Sequence, residues 1–250
     1  MARQRNFLQS HNPVMNEKAY QAASAQTGPI STGDTMTVSG AVNKTILLGL
    51  LLLATSVWSF TVANPTLMWV GAIGGLIAVL VAVFKPNLSP ILAPAYAGLE
   101  GLFVGSISAV YAGLYNGIIF QAVTLTIALL FAMLFLYKSG LIQVTQKFRS
   151  GVMMATGAVF LVYMLNLVLS FFGISVPFLH DTGLVGIGIS VVIIAIASLN
   201  LLLDFDNFEK GEAYNAPAYM EWFSAMGLII TLVWLYVEIL RLLALFSSND

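Results

Sequence analysis

Long apolar runs, broken by short polar or Pro/Gly punctuation, dominate the chain from residue 43 onward. An α-helix needs about 20 apolar residues to cross the hydrocarbon core of a bilayer. Seven runs reach that length, at about 43–63, 66–84, 89–113, 115–137, 151–173, 183–204 and 217–246. The breaks include Asn64-Pro65, Lys85-Pro86-Asn87, Tyr115-Asn116-Gly117 and the longer polar stretches 138–150 and 205–216. Trp58, Trp69, Tyr137 and Trp222 stand at boundaries, where amphipathic rings favour the membrane interface. The pattern predicts an all-α membrane protein of seven transmembrane helices, residues 43–250. It is preceded by a polar arm, residues 1–42, whose Ser24, Thr27, Gly28, Ser31, Thr32 and Gly33 suit a flexible cytoplasmic segment. That arm has no apolar run of the kind a cleaved signal needs, so insertion is expected to rest on the first helix.

Positive residues orient the bundle. Arg3, Arg5, Lys18 and Lys44 precede or open the first span. Lys85 follows the second, Lys138, Lys147 and Arg149 follow the fourth, and Lys210 follows the sixth. The alternate connections carry neither lysine nor arginine. Cytoplasmic loops hold the positive excess, so the N-terminus is expected in the cytoplasm and the C-terminus outside, in a cell inner or cytoplasmic membrane.

Composition narrows the function classes. The 250 residues are 59% hydrophobic and 8% charged, against about 25% charged in soluble domains, so lipid must cover much of the surface. The net charge of −1 supplies no basic field for nucleic acid. Absence of cysteine removes disulfides, thiol catalysis and thiolate metal sites. His11 and His180 lie outside the apolar runs and far apart. No nucleophile triad, Walker loop, HExxH, CxxC or GxGxxG occurs, and the chain is not expected to be an enzyme or to bind a cofactor tightly.

Charges inside the spans are few: Glu100, Asp204, Glu238 and Arg241. Each costs about 2.5–3.5 kcal/mol at the bilayer centre on insertion scales, so each is expected to be paired, protonated or facing water. Glu100 sits among Gly98, Gly101 and Gly105, whose helical spacing makes a smooth stripe for a neighbouring helix. It reads as a protonated acid bonded across a helix contact or, alternatively, as a place on an ion or proton path. Glu238 and Arg241 are three apart and suit a structural intrahelical pair. Asp204 closes the sixth run with Asn200 one turn earlier on the same face, and it too reads alone as a solvated acid at the headgroup boundary.

Together, the acids suggest more. The sixth and seventh helices are consecutive and therefore antiparallel neighbours by default, which would bring Asp204 toward Glu238. Two carboxyls close together in low dielectric share a proton and titrate as one unit: the helices are held together with the proton shared and repelled when both acids ionise. Calcium takes about six to eight oxygens, so a site on these acids would hold it only transiently. The depths are a difficulty. If the seventh helix enters at Pro217, Glu238 lies about 30 Å further along, at 1.5 Å per residue. Contact then requires entry near Met226-Gly227 and a sixth helix prolonged past Asp204, and otherwise Glu221 is the substitute partner. Asp206, about 200° around the helix from Asp204, is expected to face headgroups or loop.

HNPVMNEKAY in the arm, MTVSGAVNKT before the first span, LEGLFVG in the third, LNLLLDFD at the end of the sixth, and MEWF with TLVWLYVEILRLL in the seventh resemble the bacterial, YccA-like branch of the Bax inhibitor-1 family, over nearly the whole chain. The resemblance implies six helices around a central seventh, and a pH-sensitive calcium leak gated by an acidic pair between helices six and seven. The family's helix-six acid falls on Asp204. Its LYxD-type pattern falls on Leu235-Tyr236-Val237-Glu238, where glutamate replaces aspartate and extends the reach by a methylene. Asp206 stands where relatives tend to carry an amide and could join the pair as a third acid. The leading expectation is therefore a passive, proton-modulated calcium or cation leak, with lipid, calcium and protons as partners. The alternative is a non-conducting regulator that binds membrane-protein partners such as quality-control proteases.

Overall fold

The computed structural model describes residues 35–173 and 183–248. Within them lie seven helices, each long and apolar enough to cross a membrane: α1 (Val38–Val62), α2 (Pro65–Phe84), α3 (Ser89–Leu114), α4 (Ile118–Lys138), α5 (Gln146–Phe171), α6 (Leu184–Ala213) and α7 (Tyr219–Ser247). The arm up to residue 34, with His11, and the 174–182 connection, with His180, lie outside the described residues.

Local chemistry starts and stops the helices. Thr37 caps α1 by accepting from the Gly40 amide at 2.9 Å. Asn64 caps α2 through the Thr66 amide at 2.9 Å, with Pro65 in the first turn, where a missing N–H costs nothing. Thr145 caps α5 through the Phe148 amide at 3.2 Å. Between α2 and α3, Pro86–Leu88 forms a short 3-10 turn.

Helix bounds depart from the hydrophobic pattern where polar residues are satisfied inside the fold. α1 begins at Val38 rather than 43, and Met36 just before it is buried, so the packed body starts earlier than the pattern indicated. α5 begins at Gln146 rather than 151. The largest departure is α6. The stretch 205–213, expected as loop, is helical to Ala213. Phe205, Asn207 and Phe208 are buried there, and Asp206 pairs with Lys210 one turn on at 3.2 Å. Thirty residues at 1.5 Å each make α6 about 45 Å long, against about 30 Å of hydrocarbon, so its last turns project toward the interface.

α7 is the innermost helix. It packs against α1, α3, α4 and α6, and 56% of its most apolar window is buried, against 6–33% for the other six. The outer helices turn Ile46, Leu50, Trp69, Phe120, Phe131 and Leu165 outward as a lipid-facing surface. α3 is sandwiched between α1 and α2. Gly101 and Gly105 let α3 approach the Leu52 and Ser56 carbonyls of α1, and a Cβ on Gly71 of α2 would come 2.5 Å from the Leu99 carbonyl of α3. Gly98, expected in the same stripe, faces open space. Ser59 of α1 donates to the Leu102 carbonyl at 2.7 Å, and its hydroxyl also pairs with that of Ser106 at 2.7 Å.

Contacts between helix ends show the up-and-down order. The start of α3 meets the start of α7, where Ser89 donates to the Tyr219 carbonyl at 2.7 Å. The end of α4 meets the last turns of α6, where Tyr137 donates to Glu209 at 2.6 Å. Lys44, Lys85, Lys138, Lys147, Arg149 and Lys210 all belong to this one end of the bundle, and Arg241 lies toward the other. The grouping expected from the alternating loops is thus present.

Candidate functional site

Asp204 is 1% exposed and sits on the face of α6 turned to α7. Thr231 of α7 is opposite it, but the Thr231 hydroxyl spends its single proton on the Gly227 carbonyl at 3.2 Å. Neither Asp204 carboxyl oxygen has a hydrogen-bond partner among the described residues. A buried polar group without partners is costly, and a buried charge more so. The site therefore carries a free-energy cost that packing alone would not create.

Arg149 of α5 is close enough to act electrostatically on Asp204. Arg149 is only 2% exposed. One guanidinium nitrogen donates to the Asn207 side-chain oxygen at 2.9 Å, another makes an ion pair with Asp206, and Nε has no partner. Asp206 also takes Lys210 at 3.2 Å. It therefore does not face headgroups or loop, as its angle from Asp204 suggested, but anchors α5 to α6. Arg149 was legible in the sequence only as a loop charge that oriented the chain, since nothing local announces a partner nearly sixty residues away. Asn200, one turn before Asp204, ties the same two helices: its amide donates to the Thr156 hydroxyl at 2.7 Å and to the Ile196 carbonyl at 2.8 Å.

Glu238 belongs to a different cluster. It is 3% exposed, accepts from the Tyr163 hydroxyl of α5 at 2.8 Å, and pairs with Arg241 at 3.3 Å. Arg241 also donates to the Tyr163 oxygen at 3.0 Å. The expected Asp204–Glu238 pair is not formed. Asp204 lies opposite Thr231, and Glu238 is seven residues, or about 10.5 Å, further along α7. The reason is the one the depths hinted at: α7 enters as a helix at Tyr219, and α6 continues past Asp204 without bringing it as deep as Glu238. The intrahelical Glu238–Arg241 pair that the three-residue spacing suits is present.

Glu221, the substitute partner, is also engaged elsewhere. Its carboxylate accepts from the Thr37 amide at 2.8 Å and the Thr37 hydroxyl at 3.0 Å, and it pairs with Lys44. Gly40 leaves the room this approach needs. An anion at a helix N-terminus is favourable, so Glu221 fastens the start of α1 to the start of α7. Lys44 also lies 5.4 Å from the centre of the Trp222 ring, and the Met36 amide donates to the Ala216 carbonyl at 2.6 Å.

Glu100 contacts α2. Its carboxylate lies 2.7 Å from where a Cβ on Gly75 would stand, beside Tyr96. Among the described residues no group of three or more histidines, cysteines or acids is placed to hold a metal ion. A further feature had no sequence signal. An apolar cavity of about 430 Å³ lies between α1, α3, α4 and α7, and the hydroxyls of Ser108 and Tyr236 meet at 2.6 Å on its wall.

These observations define a multi-pass α-helical membrane protein with three separate ionisable clusters against its innermost helix. The chain belongs to the Bax inhibitor 1-like family, whose family model matches residues 12–248. No curated protein and no solved structure matches it.

Proposed function

We propose that the protein is a passive, pH-modulated cation pathway, for calcium, in the cytoplasmic membrane, with its lysine-bearing end toward the cytoplasm. The observation that carries this reading is Asp204: a fully buried carboxyl with both oxygens unpartnered, on a helix beside the bundle's innermost element. Intramembrane acids are costly, and they mark ion or proton paths. Glu238 supplies a second acid about two turns further along α7. The acids therefore stand in succession along a path rather than as a shared-proton latch, and each already has an arginine near it. With two acids at the nearer site, calcium would be held weakly, which suits passage.

The direction of the pH effect follows from charge. Ionised Asp204 attracts a cation. Protonated Asp204 does not, so influx falls on acidification. Nothing in this scheme requires catalysis, and we read the chain as non-enzymatic. Purified protein in calcium-free liposomes with an internal indicator dye tests the reading across acidic to neutral pH. Influx above that of empty liposomes, with the pH dependence largely lost in Asp204→Asn, supports it. Influx no greater than empty liposomes at any pH rejects it in favour of a non-conducting regulator of membrane-protein partners.

A further inference from the structure

We propose that Arg149 is a built-in cation that fills the Asp204–Asp206 site and competes with permeating cations, so that the site conducts only when the first turn of α5 withdraws. The proposal rests on the cation-pathway reading above and names the residue that closes that pathway.

Three observations carry it. First, the guanidinium is buried among acceptors a cation would use: Asp206, the Asn207 side-chain oxygen and, within electrostatic range, Asp204. Second, the fit is incomplete. Arg149 Nε and both Asp204 oxygens are buried and unpartnered, although a guanidinium offers five donors in a fork that suits carboxylates. A purely structural arginine would be expected to satisfy that fork. Here one acid is paired and the other is left open to a cation. Third, Arg149 sits in the opening turn of α5, just after the Thr145 cap. α5 is the least buried helix, with 6% of its apolar window covered. Beyond Arg149 itself, its ties to the rest include polar ones, Asn200 to Thr156 and Tyr163 to Glu238 and Arg241. A helix held this way moves more readily than α7.

Two acids, Asp204 and Asp206, face two bases, Arg149 and Lys210, and of these bases only Arg149 is buried. Without Arg149 the site is net negative, and the unpartnered Asp204 carboxyl, beside an Asp206 that Lys210 still pairs, is open to a hydrated cation.

The test compares calcium influx into dye-loaded liposomes for the full chain, Arg149→Gln and Arg149→Lys, each checked as monodisperse after purification. Arg149→Gln, which keeps an amide donor for Asn207 but no charge, should raise influx about tenfold or more, as loss of a unit charge a few ångströms away warrants. Arg149→Lys, which keeps the charge but not the fork that spans Asn207 and Asp206, should raise influx less than Arg149→Gln does. Guanidinium ion added to Arg149→Ala should lower its influx again, a response that a structural role would not produce. Unchanged or reduced influx in folded Arg149→Gln, with the unaltered protein conducting, overturns the plug and leaves the pathway reading standing. No influx in either overturns both. The unaltered protein gives a second measurement that needs no variant. Calcium should speed amide hydrogen exchange in the first turn of α5 and leave the start of α7 unchanged, and identical exchange with and without calcium overturns the competition.

Discussion

Asp204 and Glu238 should behave as independent sites, and a double-mutant cycle measures this directly. Asp204 lies opposite Thr231, so Glu238 is about 10.5 Å further along the helix axis. Each acid has a different cation in its field: Arg149, ion-paired with Asp206, acts electrostatically on Asp204, and Arg241 pairs with Glu238. Two unit charges at about 10 Å would interact by about 1.7 kcal/mol at an effective dielectric of 20, but the neighbouring guanidinium opposes each and leaves a fraction of that. Sites this far apart without shared partners add within about 0.3–0.5 kcal/mol. The cycle Asp204→Asn, Glu238→Gln and the double variant, followed by reversible unfolding in mixed micelles, should therefore close to within about 0.5 kcal/mol. The pH profiles of influx should add in the same way. Tyr163→Phe with Glu238→Gln is the positive control. Those side chains share a 2.8 Å hydrogen bond, and interhelical bonds in membranes couple by about 0.6 kcal/mol, up to about 1.7. Coupling above about 1 kcal/mol between Asp204 and Glu238, or none between Tyr163 and Glu238, would refute this separation.

Gly105→Ala should destabilise the fold by about 1–3 kcal/mol, because its Cβ would press on the Ser56 backbone of α1, whereas Gly98→Ala, which meets open space, should be neutral or slightly stabilising in the same unfolding assay. Glu221→Gln removes the charge that holds Lys44 and the Thr37 cap, and should speed amide exchange over the first turn of α1 while leaving the middle of α3 unaffected. A reporter fused after Asp250 should report an external location and one inserted in 138–150 a cytoplasmic one. Both reporters on the same side would break the seven-span alternation.

The bundle was legible because a bilayer imposes a length on every apolar run, and seven runs met it. Helix ends were less legible, and α6 shows why. The run stops at Asp204, yet the helix continues nine residues, since Asp206, Asn207 and Lys210 find partners on α5 and within α6 while Phe205 and Phe208 stay buried. Hydropathy registers the cost of a charge but not the partner that offsets it. Close approach was half legible for a similar reason. The spacing of Gly98, Gly101 and Gly105 announced a packing stripe, but which of the three meets a neighbour depends on where α1 crosses; Gly71 and Gly75 on α2 have the same four-residue spacing as Gly101 and Gly105, and both meet α3.

The ionisable groups divide along the same line. Residues such as Glu238 and Arg241, whose partners lie within one turn, could be paired from spacing alone, and the structure joins them. Asp204 and Arg149 are brought together by the register of two long helices, and a register error of one turn shifts a contact by about 5.4 Å. Adjacency of helices six and seven fixed which elements meet but not at what height, and height decides which acid finds which cation. Arg149 is the residue most exposed to this limit. Read along the chain, it is one of three positive charges before the fifth span; in the fold, it is the one 2% exposed and aimed at the acids of α6. A charge that merely oriented the chain would have no need of that burial, whose desolvation cost the pairing with Asp206 and Asn207 offsets only in part. Its position inside, with a donor unused beside an acid that has no donor, is what separates a site from a topology signal.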